Sequence, residues 1–147
     1  MIKSKNSFKV HSISEMLPVI NEVIKSFATS KLLLLKGDLG AGKTTFVKEL
    51  LANMANISGV TSPTFNILNI YESQIGPIFH YDLYRLKSRE ELAEIGLMEN
   101  ISSYYVIIEW PDIAEQYLSK AKKTELVIDI LDDDVRIYKV LNTSGSP

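Results

Sequence analysis

The stretch "KLLLLKGDLGAGKTTF", residues 31–46, limits the possible folds more than any other part of the chain. Four consecutive leucines end near a glycine, the pattern of a short strand buried on both faces, as in a parallel sheet covered by helices. Phe46, Val47, Leu50, Leu51 and Met54 then recur at helical spacing. Between strand and helix, Gly37, Gly42, Lys43 and Thr44 take the fixed places of G-x-x-x-x-G-K-[ST], a phosphate-binding loop. Such a loop wraps backbone N–H groups around nucleotide phosphates while the next helix points its positive end at them. The expected phosphate contacts are Asp38, Leu39, Gly40, Ala41, Gly42, Lys43, Thr44 and Thr45. Lys43 neutralises the outer phosphates, the Thr44 hydroxyl ligates Mg²⁺, and Thr45 reaches the inner phosphate.

The rest of the chain reads as a single α/β domain over residues 1–147, with 1–9 and 143–147 expected to be flexible. Residues 14–27 carry apolar positions at helical spacing, with Ser14 as a cap and Pro18 in the tolerated first turn. Residues 58–72 give a loop and then a strand, and "IFHYD" (78–82) is its hairpin return. Ser88 and Glu91 form a capping box opening a short helix that Gly96 closes. "YYVIIEW" (104–110) is a second buried strand, stopped by Pro111 and followed by a helix from 112 to about 121. Residues 124–141 read as two strands around the acidic turn Asp132–Asp134.

Composition narrows the function. Formal net charge is −2, with charges of both signs scattered, whereas a chain that grips nucleic acid unaided shows a basic patch or stripe. The lysines at 120, 122 and 123 read as a solvated helix end. Cysteine is absent, so disulfides and thiolate metal sites are excluded. No apolar run is long enough to span a bilayer, and "MIKSKNSFKV" has no signal-peptide core. A cytoplasmic protein with no membrane partner is expected.

Hydrolysis needs an acid at the end of another strand, to hold the metal's water or orient the attacking water. Glu109 ends "YYVII" and Asp82 ends "IFHY". Lys43, Asp82 and Glu109 are thus the catalytic candidates, and Thr44 and Glu109 the metal candidates. His80 reads as a strand residue of the core, because "HxD" alone is a weak signal.

In order and spacing, "GDLGAGKTT", "TSPTF", "HYDLYRL", "EIGL" and "VIIEWP" resemble the TsaE (YjeE) family, small bacterial ATPases needed to make threonylcarbamoyladenosine in tRNA. The resemblance covers roughly residues 14–142. It implies a P-loop NTPase-like α/β fold of three layers, with a central, mostly parallel sheet flanked by helices. It also implies ATP and Mg²⁺ as cofactors and slow ATP hydrolysis within a complex with a TsaD-like transferase and a TsaB-like companion. On that reading tRNA is met only through the complex, and ATP turnover resets the transferase. "SPTF" (62–65) then corresponds to a switch-like loop beside the γ-phosphate, with Thr64 facing the nucleotide. Asp82 and Glu109 correspond to the two functional carboxylates, Glu109 near the magnesium, and Trp110 lies by the nucleotide. Tyr84 and Arg85 face either the nucleotide or the partners, and Arg85 reads equally as half of a structural ion pair.

Three rivals compete with this reading. A small GTPase would carry an N/T-K-x-D sequence, which is absent, and a small-molecule kinase would need an arginine-rich lid, whereas arginine occurs only at 85, 89 and 136. A module that binds the nucleotide without cleaving it fits the same motifs.

Overall fold

The computed structural model describes residues 2–63 and 66–144. Its seven strands are β1 (Ile2–Val10), β2 (Leu32–Gly37), β3 (Leu68–Tyr71), β4 (Ile78–Asp82), β5 (Tyr105–Glu109), β6 (Lys123–Ile130) and β7 (Arg136–Thr143). The helices are α1 (Leu17–Ser30), α2 (Lys43–Ala55), α3 (Arg89–Glu94) and α4 (Leu97–Ser103). The strands form one sheet in the order β1-β7-β6-β2-β5-β4-β3. Its centre, β6-β2-β5-β4, is parallel, and both edges are antiparallel, so the sheet is mixed.

The leucine run explains why β2 lies at the centre. Leu33 and Leu35 pack into the cluster under α1 and α2, while Leu32 and Leu34 face the cluster under α3, α4 and the 3₁₀ turn Asp112–Tyr117. A strand alternates its side chains between faces, so only a run apolar at every position suits a strand covered on both sides. Each of these leucines is at most 2% exposed, a burial worth about 1.5–3 kcal/mol per side chain. The strands outside this centre read differently. Toward the β1 edge, Val10, Leu126, Ile128, Tyr138 and Val140 join the α1–α2 cluster alone, and β6 and β7 alternate in burial accordingly.

Several expectations from the sequence change here. Residues 2–10 form an edge strand paired antiparallel to β7, not a flexible segment, because the β7 edge needs a partner for its backbone groups. Of the expected flexible segment 143–147, Thr143 belongs to β7, and residues 145–147 lie outside the described ones. Ser14 falls in a 3₁₀ turn, Ile13–Glu15, and α1 begins at Leu17 with proline in its first turn. Glu91 does reach back to the Ser88 N–H at 3.2 Å. Gly96, in a left-handed conformation, separates α3 from a further short helix, α4, which the sequence reading lacks. Residues 112–117 are 3₁₀ and not a longer α-helix.

Gly37 ends β2 where the chain turns into the loop, in register with Ile128 of β6. A β-carbon there would lie 2.8 Å from the Ile128 carbonyl oxygen and 3.1 Å from the Ala41 β-carbon. Gly37→Ala must therefore push β2 from β6, at a cost of about 1–3 kcal/mol for overpacking. A thermal melt should show the midpoint falling by at least about 2 °C; an unchanged midpoint would mean that the strand end yields freely.

Candidate functional site

Two strand ends and one loop meet at the carboxyl edge of the parallel strands, where open α/β sheets place their ligands. The loop between β2 and α2 turns through Gly40 (φ 81°) and Gly42 (φ 100°), a left-handed backbone that glycine adopts without a steric penalty. Gly42 is the N-cap of α2, and no side chain caps the helix. The first N–H bond back into the helix is that of Phe46 to the Gly42 carbonyl, 2.9 Å. The backbone N–H groups that open a helix have no partner within it, and α2 points its own toward the cleft. By contrast, α3 satisfies its N-terminus internally through Glu91.

Lys43 is only 6% exposed. Its Nζ donates to the carbonyls of Gly37 (2.6 Å) and Asp38 (3.2 Å) and lies 3.8 Å from the centre of the Trp110 ring. Burial pulls its pKa below the usual lysine value, against the opposing pull of Glu109, Asp82, Asp38 and Asp112. Trp110 directly follows β5 and holds φ at +56°, an uncommon conformation for a bulky residue. Tyr84 packs on its ring at 4.7 Å between centroids.

Thr44 and Glu109 come together. The Thr44 hydroxyl donates to both carboxylate oxygens of Glu109, at 3.0 and 3.1 Å. Glu109 is 2% exposed, and its second oxygen also lies 2.6 Å from Nε2 of His80. Asp82 sits in register with Glu109 on the neighbouring strand. It accepts the Tyr84 N–H at 3.0 Å and the Ser62 hydroxyl at 3.4 Å. Partial burial raises the Asp82 pKa above the usual carboxylate value, and the negative charge of Glu109 adds to the shift.

These groups line a cleft of about 400 Å³ whose walls include Leu39, Gly40, Gly42, Lys43, Thr44, Thr45, Ser62, Asp82, Tyr84, Arg85, Glu109 and Trp110. A second cavity of about 310 Å³ flanks the same loop, sharing Gly40, Gly42 and Thr45, and is walled by Ala41, Ile13, Met16, Asp133, Asp134, Arg136 and Tyr138. Asp38 gives its carbonyl to Lys43 and to the Ala41 N–H. Thr64 lies outside the described residues.

Two residues enter this arrangement that the sequence reading did not place there. His80 touches Glu109 instead of only filling the core. Arg136 spans to the loop, donating to the carbonyls of Ala41 (3.3 Å) and Gly40 (3.4 Å) and also to the backbone carbonyls of Asp132 (2.9 Å) and Asp133 (3.2 Å). Its place just after the acidic turn shows in sequence, but its reach across 95 positions does not.

Hard oxygen donors at Thr44 and Glu109 suit Mg²⁺. Among the described residues no cluster of three or more acidic or histidine side chains could hold a metal ion. Among the described residues no helix is long and apolar enough to cross a membrane.

The chain as a whole is similar to known proteins. Residues 10–138 match the family model described as threonylcarbamoyl adenosine biosynthesis protein TsaE. The tRNA threonylcarbamoyladenosine biosynthesis protein TsaE of Rickettsia bellii is 40% identical over 123 residues, 80% of this chain and 85% of that protein. Its counterpart from Rickettsia felis is 37% identical over 122 residues, 82% of this chain and 71% of that protein. The crystal structure of YdiB from Bacillus subtilis superposes with a TM-score of 0.72 at 28% identity, covering 97% of this chain and 87% of that one.

The raised pKa of Asp82 carries a stability consequence. Its folded-state pKa lies above its unfolded value. The ionised form is therefore the less favourable one in the fold, and the stability it removes is lost as pH rises from the unfolded toward the folded pKa. At neutral pH the fold carries that charge at a cost. Asp82→Asn keeps the oxygen that accepts from Tyr84 and removes the charge, so this variant should melt at a higher temperature than the parent chain at pH 7. A lower midpoint would show that the carboxylate is a net stabiliser.

Proposed function

This chain belongs to the TsaE family, and from that footing we propose that it binds ATP with Mg²⁺ and hydrolyses it slowly as a subunit of the complex that makes threonylcarbamoyladenosine in tRNA. Turnover resets the transferase between rounds. The observation that carries the reading is the bond between Thr44 and Glu109, which joins the hydroxyl of the phosphate loop to the acid ending a neighbouring strand. A module that only bound phosphate would not need a buried carboxylate there.

In this reading the phosphates lie along the loop, against the free N–H groups at the start of α2, with Asp38 to Thr45 forming the cradle. The nucleoside occupies the second cavity, because that cavity shares the loop's outer wall. Lys43 stands beside the outer phosphates and exchanges its carbonyl partners for them. Thr44 and Glu109 would hold the metal, which would supply positive charge to offset that of the phosphates. Asp82, beside Glu109 and half-buried, orients the attacking water. Trp110 covers Lys43, and Thr64 completes the switch-like loop that runs through Ser62. The partners are a TsaD-like transferase and a TsaB-like companion, which bring the tRNA, since a chain of net charge −2 has no excess of basic groups for it. The complex works in the cytoplasm.

Trp110 is the only tryptophan, so its emission reports on binding. Lys43→Ala removes a charge-assisted contact worth ~1.5–3 kcal/mol, roughly ten- to over a hundredfold in ATP affinity. Glu109→Gln should bind ATP nearly as well as the parent chain while phosphate release, measured with and without the two partners, falls by on the order of 10²–10³. Full turnover by Glu109→Gln would remove it from the chemistry. Modification of tRNA by the reconstituted complex without ATP consumption would favour the non-hydrolysing module instead.

A further inference from the structure

We propose that His80 is a positioning residue for Glu109, holding the carboxylate in the rotamer that presents it to Thr44 and the bound metal. The inference rests on the hydrolytic reading above and extends it to a residue behind the reacting groups. His80 lies in the middle of β4 and is 0% exposed. In the parallel β4–β5 pair, His80 is opposite Ile107, and Asp82 is opposite Glu109. Alternation along each strand puts His80, Asp82 and Glu109 on the same face of the sheet, the face that α2 covers.

The chemistry fixes the direction of the bond. An ionised carboxylate only accepts hydrogen bonds, so at 2.6 Å it is the His80 Nε2–H that donates to Oε2 of Glu109. Thr44 donates to the same carboxylate from the side of the loop. Glu109 is thus held between the sheet interior and the phosphate loop. The long glutamate side chain has several rotatable bonds, and two donors from different elements suppress that freedom.

The other ring nitrogen shows that packing is not the reason for this histidine. Nδ1 of His80 is buried and has no hydrogen-bond partner among the described residues. A leucine or phenylalanine would fill the same space without desolvating a lone pair. The arrangement makes sense if the Nε2–H is the group the site requires. Such outer partners orient a ligand and commonly change metal affinity or activity about 10–100-fold when removed.

The test compares His80→Leu, which fills the space without a donor, with His80→Gln, whose side-chain amide can offer an N–H at a similar reach. Trp110 emission follows ATP binding across a Mg²⁺ titration, and phosphate release gives kcat and KM. His80→Leu should leave ATP affinity without metal within about threefold of the parent chain. It should raise the half-saturating Mg²⁺ concentration and lower kcat, each about tenfold or more. His80→Gln should recover most of both losses. If His80→Leu matches the parent chain in both readouts, or if a folded His80→Gln is as impaired as His80→Leu, the proposal is overturned. Should His80→Leu fail to fold, His80→Phe keeps a flat ring without the donor and is judged by the same outcomes. If the parent chain releases no phosphate even with its partners, the hydrolytic reading fails. The Mg²⁺ dependence of binding still decides for or against His80.

Discussion

An ionised carboxylate taken out of water loses several kcal/mol of hydration unless hydrogen bonds replace it, and Glu109 is 2% exposed. The rest of the site follows from meeting that demand. Thr44 supplies one donor from the first turn of α2, and His80 supplies another from β4. Lys43 places its charge close enough to draw on the same field, which partly offsets its own burial. To satisfy one side chain, the loop, the helix start and two adjacent strands must be held in a single register. The parallel centre of the sheet provides that register, pairing Leu35 of β2 and Asp82 of β4 with Glu109 of β5 from opposite sides.

The cradle and the cover of the cleft differ in how they are held. The loop is fixed from behind: Gly37 packs against Ile128 and Ala41, and Arg136 grips the Gly40 and Ala41 carbonyls. In a trans peptide the carbonyl and the following N–H point in opposite directions. Holding the Ala41 carbonyl on one side therefore aims the Gly42 N–H to the other. The cover is less regular. Trp110 lies at a positive φ, with Lys43 over its ring and Tyr84, itself 56% exposed, tilted against it. Strain of that kind is held in place by the surrounding contacts, and here those contacts are the side chains that border the cleft.

How much of this could be read from residues alone depends on whether the deciding physics was local. The strand–loop–helix at 31–55 was legible because its signals lie within a few positions of one another: four leucines, then spaced glycines, then a helical repeat. Glu109 and Asp82 were legible for the same reason, each closing an apolar run. The edge strand β1 was not, because "KSKNSFKV" becomes a strand through pairing with β7, whose residues lie more than a hundred positions away. His80 reads as a core residue, and it is buried, but its bond to Glu109 depends on the register between two strands and not on its neighbours in sequence. Arg136 illustrates the same limit. An isolated arginine after an acidic turn gives no hint that it reaches a glycine loop.

The reach of Arg136 has a consequence for how the site comes into being as the chain is made. A ribosome releases β2, the loop and α2 early, and these segments contain nearly all the residues that look like a phosphate site. The guanidinium that holds the Gly40 and Ala41 carbonyls is made 95 or more positions later. Until β7 is available to pair with β6, the loop lacks this rear support, and the cavity walled by Arg136 and Tyr138 has not closed. A nascent chain can therefore display the whole glycine motif while its binding geometry is still unfinished, and β7, made much later, completes it.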